Sequence, residues 1–256
     1  MLVRPEGEGI VAIGQASHAW LSGQLARAWG SARFEAPEPW EEVCLAAEQH
    51  DVGMAEWDLA PKLDPQAKRP QSFMEMEIAD HLRLWSAAPA KLLTQSRYAA
   101  LLVSLHGSAL YERRDLGWLA PEDAGAVRAY LASERARQER LIALLGADRE
   151  QLERNQRLLF AWDGLSLALC LGWSAYVAAD VPTRGDGAVD VWLQPVAGQA
   201  AGRFTVDPWP FAGDEVTVGC EGRRLGARHE TESELKPALE QAPQAALDFT
   251  LVSPSH

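Results

Sequence analysis

Six side chains of metal-ligating type lie in this 256-residue chain within stretches that are otherwise largely apolar: His18, His50, Asp51, His81, His106 and Asp163. His50 and Asp51 are neighbours, in His50-Asp51-Val52-Gly53. Adjacent helical side chains point about 100° apart, so an ion between the two directions is within reach of both. Imidazole nitrogen with carboxylate oxygen is a donor set for Zn, Mn, Fe and Ni. Any one of these histidines alone is more often a hydrogen-bonded core residue than a ligand. Asp163 shifts the balance, because it sits in Leu158-Leu159-Phe160-Ala161-Trp162-Asp163-Gly164-Leu165. An unpaired carboxylate there costs several kcal/mol. A salt bridge to Arg157 or a kink at Gly164 is the bland account of it. A metal centre is the account that also covers Asp51 and the histidines.

Those side chains require helices to bring them together. Apolar spacing predicts helices over 15–29, 40–57, 73–87, 98–113, 121–145 and 148–178. Pro39 precedes the second, with Glu41 and Glu42 in its favourable first turn. The prolines at 61, 65 and 70 predict a loop over 58–72. Residues 2–4 and 10–13 flank Pro5-Glu6-Gly7-Glu8-Gly9 and read as a hairpin. After Asp180 the texture changes to short strand-like runs at 189–193, 203–206, 216–218 and 249–252. The expected architecture is therefore mainly α: a helical bundle over 1–180, including the hairpin at 2–13, and a small antiparallel β appendage over 181–256.

Composition narrows the classes. There are 24 basic and 36 acidic residues, a net charge of −12, which argues against non-specific nucleic-acid binding. Cys44, Cys170 and Cys220 lack metal-type spacing and do not form a disulfide framework. No apolar segment follows the basic N-terminal residue, and the apolar run at 165–177 is too short to span a bilayer. The expectation is a cytoplasmic protein without a nucleic-acid or membrane partner, its oligomeric state open. Arg184-Gly185-Asp186 reads as a loop, and the glycines at 185–187 and 219–226 lack the Lys-Ser/Thr of a phosphate loop. His229 and His256 lie far from the bundle in sequence, and Trp20 and Trp57 could wall a pocket beside the proposed ligands.

The order His18, His50-Asp51, Asp163 on successive helices resembles that of the HD-domain metal-dependent phosphohydrolases, and Gly53 strengthens the likeness. The chain as a whole is similar to the bacterial family DUF3891. That likeness is carried by Gln15-Ala16-Ser17-His18-Ala19, Gly23-Gln24-Leu25-Ala26, His50-Asp51, Leu101-Leu102-Val103-Ser104-Leu105-His106 and Trp209-Pro210-Phe211. The HD resemblance implies an HD-like helical fold. It implies that His18, His50, Asp51 and Asp163 bind one metal, and that His81 and His106 supply a second. Many HD members follow the pair with a Lys, where this chain has Met54. Arg97, Arg113, Arg114 and Lys62 are the candidate replacements for that phosphate contact.

The expected function is a metal-dependent hydrolase of a phosphoester, a nucleotide or another small phosphate ester. It would use one or two divalent ions (Mn, Fe, Mg, Ni or Zn) to activate water. Asp51 and His106 are the residues whose loss should abolish turnover. The alternatives are a two-iron oxygenase of the same superfamily, and a non-catalytic binding module that keeps a structural metal.

Overall fold

The computed structural model describes residues 1–198, 202–226 and 228–254; His256 lies outside them. The chain opens with β1 (Leu2–Glu6) and β2 (Gly9–Ile13), followed by α1 (Gln15–Ala28) and α2 (Trp40–Gln49). A single turn at Val52–Met54 and the short α3 (Ala55–Leu59) come next, then a two-residue ladder of β3 (Leu63–Asp64) with β4 (Arg69–Pro70). The long helices are α4 (Ile78–Leu92), α5 (Arg97–Glu112), α6 (Pro121–Leu145) and α7 (Arg149–Leu171). The C-terminal part holds β5 (Tyr176–Pro182), β6 (Ala188–Pro195), β7 (Arg203–Asp207), β8 (Glu215–Leu225), α8 (Glu232–Gln241) and β9 (Gln244–Val252).

Local signals account for the helix limits. Ser96 caps α5 by accepting from Ala99 N, and Asp148 caps α7 by accepting from Gln151 N at 2.8 Å. α6 starts on Pro121 with Glu122 and Asp123 behind it, and stops at Gly146 with φ 58°. α7 stops in the same way at Gly172, φ 70°. The apolar run at 165–177 is therefore not one buried helix: it turns at Gly172 and re-emerges as β5. The expected helix over 40–57 also breaks, at His50, where Asp51 leaves helical geometry (φ −97°, ψ 15°).

The expected mainly α bundle with a small antiparallel appendage is corrected by the sheet. Seven strands form one curled sheet in the order β1-β2-β8-β9-β7-β6-β5. About 22% of residues are in strands against about 51% in helices, so the molecule is not all-α. The sheet is mixed, since β7 pairs with β9 in parallel. Its faces pack on α1 and α7, and one continuous core runs from Leu2 and Ile13 through Leu21, Leu101 and Trp162 to Val206 and Phe249. α8, unforeseen in the sequence, covers a small separate cluster with Leu235 and Leu239 against Met1 and Leu225.

The sheet was underestimated because two glycines in β8 read as breaks. In place, β8 runs through both and pairs with β9 from Glu215↔Val252 to Arg223↔Gln244. Gly222 is a point of close approach, where an added Cβ would lie 2.5 Å from Val11 Cγ1 and 3.1 Å from the Ala12 carbonyl oxygen. Gly222→Ala should therefore destabilise the fold through overpacking, by about 2 kcal/mol. For a chain of this size that is a fall in melting temperature of roughly 4–8 °C by thermal denaturation.

Candidate metal centre

Four elements deliver the ligating side chains. His18 is on α1, His50 and Asp51 end α2, His106 is on α5 and Asp163 is on α7. The α1–α7 pair is anchored at one end by aromatic packing: Trp29 meets Trp162 at 5.7 Å and Phe211 at 5.5 Å between ring centroids. Gly30 N donates to the Pro210 carbonyl at 2.9 Å, so the Trp209-Pro210-Phe211 stretch clamps the end of α1. Gly53 does a second job. An added Cβ there would collide with the Leu84 carbonyl oxygen and lie 2.9 Å from Ala88 Cβ. Its absence lets α4 seat directly against the turn that aims Asp51.

All five side chains are buried, Asp163 the most accessible at 9%. His18 Nε2 stands 2.8 Å from Asp51 Oδ2 and 3.7 Å from Asp163 Oδ1. His50 Nε2 stands 3.4 Å from Asp163 Oδ1 and 3.6 Å from Asp51 Oδ2. His106 Nε2 lies 3.4 Å from Asp163 Oδ2. His18, His50 and Asp163 each offer a ligand atom within 4.8 Å of the other two.

The hydrogen bonds behind the rings decide which nitrogens carry protons. His50 Nδ1 donates to the Ala47 carbonyl at 2.8 Å. Ser166 Oγ donates to the Asp163 carbonyl at 2.8 Å, so it accepts from His18 Nδ1, also at 2.8 Å. In its neutral form each ring thus holds its proton on Nδ1 and turns an Nε2 lone pair towards carboxylate oxygens. Lone pair against lone pair is repulsive unless a positive charge lies between. His50 Nε2 is buried with no hydrogen-bond partner among the described residues, as suits a ligand atom. The spacing agrees. Ligand atoms about 2.1 Å from one metal lie roughly 3.0–3.4 Å apart in octahedral or tetrahedral geometry, close to most of the distances here. The donor set fits a divalent cation, with Ala47 and Ser166 as the outer contacts that fix the rings.

Electrostatics express the same demand for a cation. Burial alone would push the His50 imidazolium down, but Asp51 and Asp163 outweigh it and raise the ring to about 9. Burial would push the Asp163 carboxyl up, yet His106 and His50 hold it well below the usual range. The Asp51 carboxyl is lowered against burial by His50 and His18. The His106 ring is lowered, chiefly by burial. Arg157, the sequence's alternative partner for Asp163, instead pairs with Asp180 at 2.8 Å.

His81 does not join the cluster. Its Nε2 accepts from Trp85 Nε1 at 3.0 Å, and its Nδ1 is bonded to the Tyr111 hydroxyl. Both nitrogens are engaged, and burial together with Arg114 lowers the ring to about 4. Glu77 meets His81 only through its backbone carbonyl. His81 lines the cavity that opens onto the cluster, a space of about 220 Å³ walled by Phe73, Met76, Ile78, Leu110 and Leu167, with Arg114 also on its lining. Of the four candidate phosphate cations, only Arg114 lines it. Lys62 pairs with Asp80 at 2.9 Å, Arg113 lies over the Phe160 ring at 4.3 Å, and Arg97 borders a different depression. Trp20 is 52% exposed and Trp57 carries Lys62 over its ring, so neither walls the cavity. Sequence reasoning missed Ser166, although its place three residues after Asp163 puts it on the same face of α7. It also missed Tyr111 and Trp85, whose partner His81 is contacted across helices.

The site and sheet together define an α+β protein with a buried histidine–aspartate centre at the foot of an apolar-walled cavity. The chain belongs to the DUF3891 family, described as a protein of unknown function, whose family model matches residues 1–227. No curated protein and no solved structure matches the chain. No helix among the described residues is long and apolar enough to cross a membrane.

Two outcomes are expected. Mn²⁺ or Zn²⁺ should raise the melting temperature and EDTA should lower it, because ligand at a hundredfold excess over Kd stabilises by about 2.7 kcal/mol. By mass spectrometry, His50→Gln should lose the bound metal while His81→Gln keeps it at full stoichiometry.

Proposed function

We propose that this chain is a metal-dependent hydrolase of a phosphoester, a nucleotide or another small phosphate ester. The observation that carries the reading is the pair of histidines with Nδ1 tied back and Nε2 facing two buried carboxylates. His18, His50, Asp51 and Asp163 would hold the ion, and a divalent cation supplies water activation near neutral pH and neutralisation of phosphoryl charge. Ser166 and the Ala47 carbonyl keep the two rings aimed. His106 braces Asp163 on its other oxygen, leaving its own Nδ1 without a partner among the described residues. The order of these groups is similar to that in the HD-domain phosphohydrolases; the likeness is of ligand order alone. Three histidines at the centre, with His81 engaged elsewhere, favour hydrolysis over the two-iron oxygenase, which calls on four.

Asp51→Ala should abolish turnover on a phosphoester panel and remove the metal, while far-UV circular dichroism stays near that of the unaltered chain. Wild-type metal stoichiometry in that variant would overturn the ligand assignment. A metal-replete wild-type chain inert across the panel would overturn the reaction.

A further inference from the structure

Lining the same cavity as the histidine–aspartate cluster is a chain of donors that the hydrolytic reading does not use. Trp85 Nε1–H donates to His81 Nε2 at 3.0 Å. That leaves the His81 proton on Nδ1, which donates to the Tyr111 oxygen. The Tyr111 hydroxyl proton is therefore released from His81 and free to donate to something else. Successive donors polarise one another, so the last O–H in such a chain is a strengthened one. Tyr111 lines the cavity, and the Arg114 guanidinium, also on the lining, lies 5.2 Å over its ring. A strengthened O–H and a guanidinium on one cavity lining make an anion-binding pair. The rest of that wall is apolar, from Met76, Ile78 and Leu110.

Resting on the hydrolase reading above, we infer that the substrate is a compact phosphate monoester with an apolar organic group, its phosphoryl oxygens held by Tyr111 and Arg114 and its organic group on the apolar wall. A nucleoside polyphosphate fits poorly. It brings several negative charges, and Arg114 is the one Lys or Arg on the lining among the described residues. The cavity, about 220 Å³, also favours a small body.

The test separates binding from turnover by using phosphonates, which cannot be hydrolysed at phosphorus–carbon as an ester would be. Full-length, metal-supplemented protein is titrated by calorimetry with phenylphosphonate, methylphosphonate and ATP. Phenylphosphonate should bind at least tenfold tighter than methylphosphonate, from the added apolar burial, and tighter than ATP. Tyr111→Phe and Arg114→Gln should each weaken phenylphosphonate about tenfold or more, as loss of a hydrogen bond to a charged group does, with metal content unchanged. Arg114 is exposed, so its variant keeps the result meaningful even where Tyr111→Phe disturbs packing. The inference is overturned if the wild-type chain binds no phosphonate, if the phenyl and methyl compounds bind alike, if ATP binds tighter, or if Arg114→Gln binds as wild type does. Failure of the hydrolase reading looks different: no metal, or no turnover, with the phosphonate ranking intact.

Discussion

Two carboxylates, Asp51 and Asp163, are buried where, among the described residues, no lysine or arginine pairs with them. Much of the molecule is arranged around that constraint. A buried charge without a partner costs several kcal/mol, so whatever neutralises these two groups also helps hold α1, α2, α5 and α7 in register. The three histidines that face them cannot do this as neutral rings, because at least two present lone pairs. The folded chain has in effect built the negative half of an ion pair and left the positive half to a cation or to protonation.

The surrounding structure keeps that arrangement rigid. Trp29, Trp162 and Phe211 lock the C-terminal end of α1 against the middle of α7, and Phe211 comes from the loop before β8. The sheet is thus part of the scaffold that sets the distance between His18 and Asp163. Gly53 lets α4 press against the turn that carries Asp51, and the same helix supplies His81 and Trp85 to the cavity lining. One packing contact therefore positions both sides of the site. The polar cluster and the apolar wall differ in kind: one is specified by charge, the other by shape.

His81 illustrates how context decides the role of a histidine. Like His106 it lies on a largely apolar helix. His106 looks across at Asp163, while His81 has Trp85 one turn along its own helix and Tyr111 on the next. With an indole donor on one nitrogen and a phenol oxygen on the other, no lone pair remains for an ion. The ring becomes a relay between two aromatic side chains.

The sequence by itself determined that His18, His50, Asp51, His106 and Asp163 needed a common explanation, since charged and polar groups at apolar helical positions are costly wherever they lie. It also determined the long helices α5 and α6 and the N-terminal hairpin, whose periodicity, caps and turns are local signals. Only the tertiary structure decided that His81 stands apart, because its partners combine an i+4 neighbour with a residue from another helix. Only the tertiary structure decided the seven-stranded sheet, because β2 and β8 are adjacent in space but some 200 residues apart, and a glycine tolerated by close backbone approach looks in sequence like a break. The tautomers that His18 and His50 take when neutral are likewise set by Ser166 and by a backbone carbonyl, groups whose direction no spacing rule encodes.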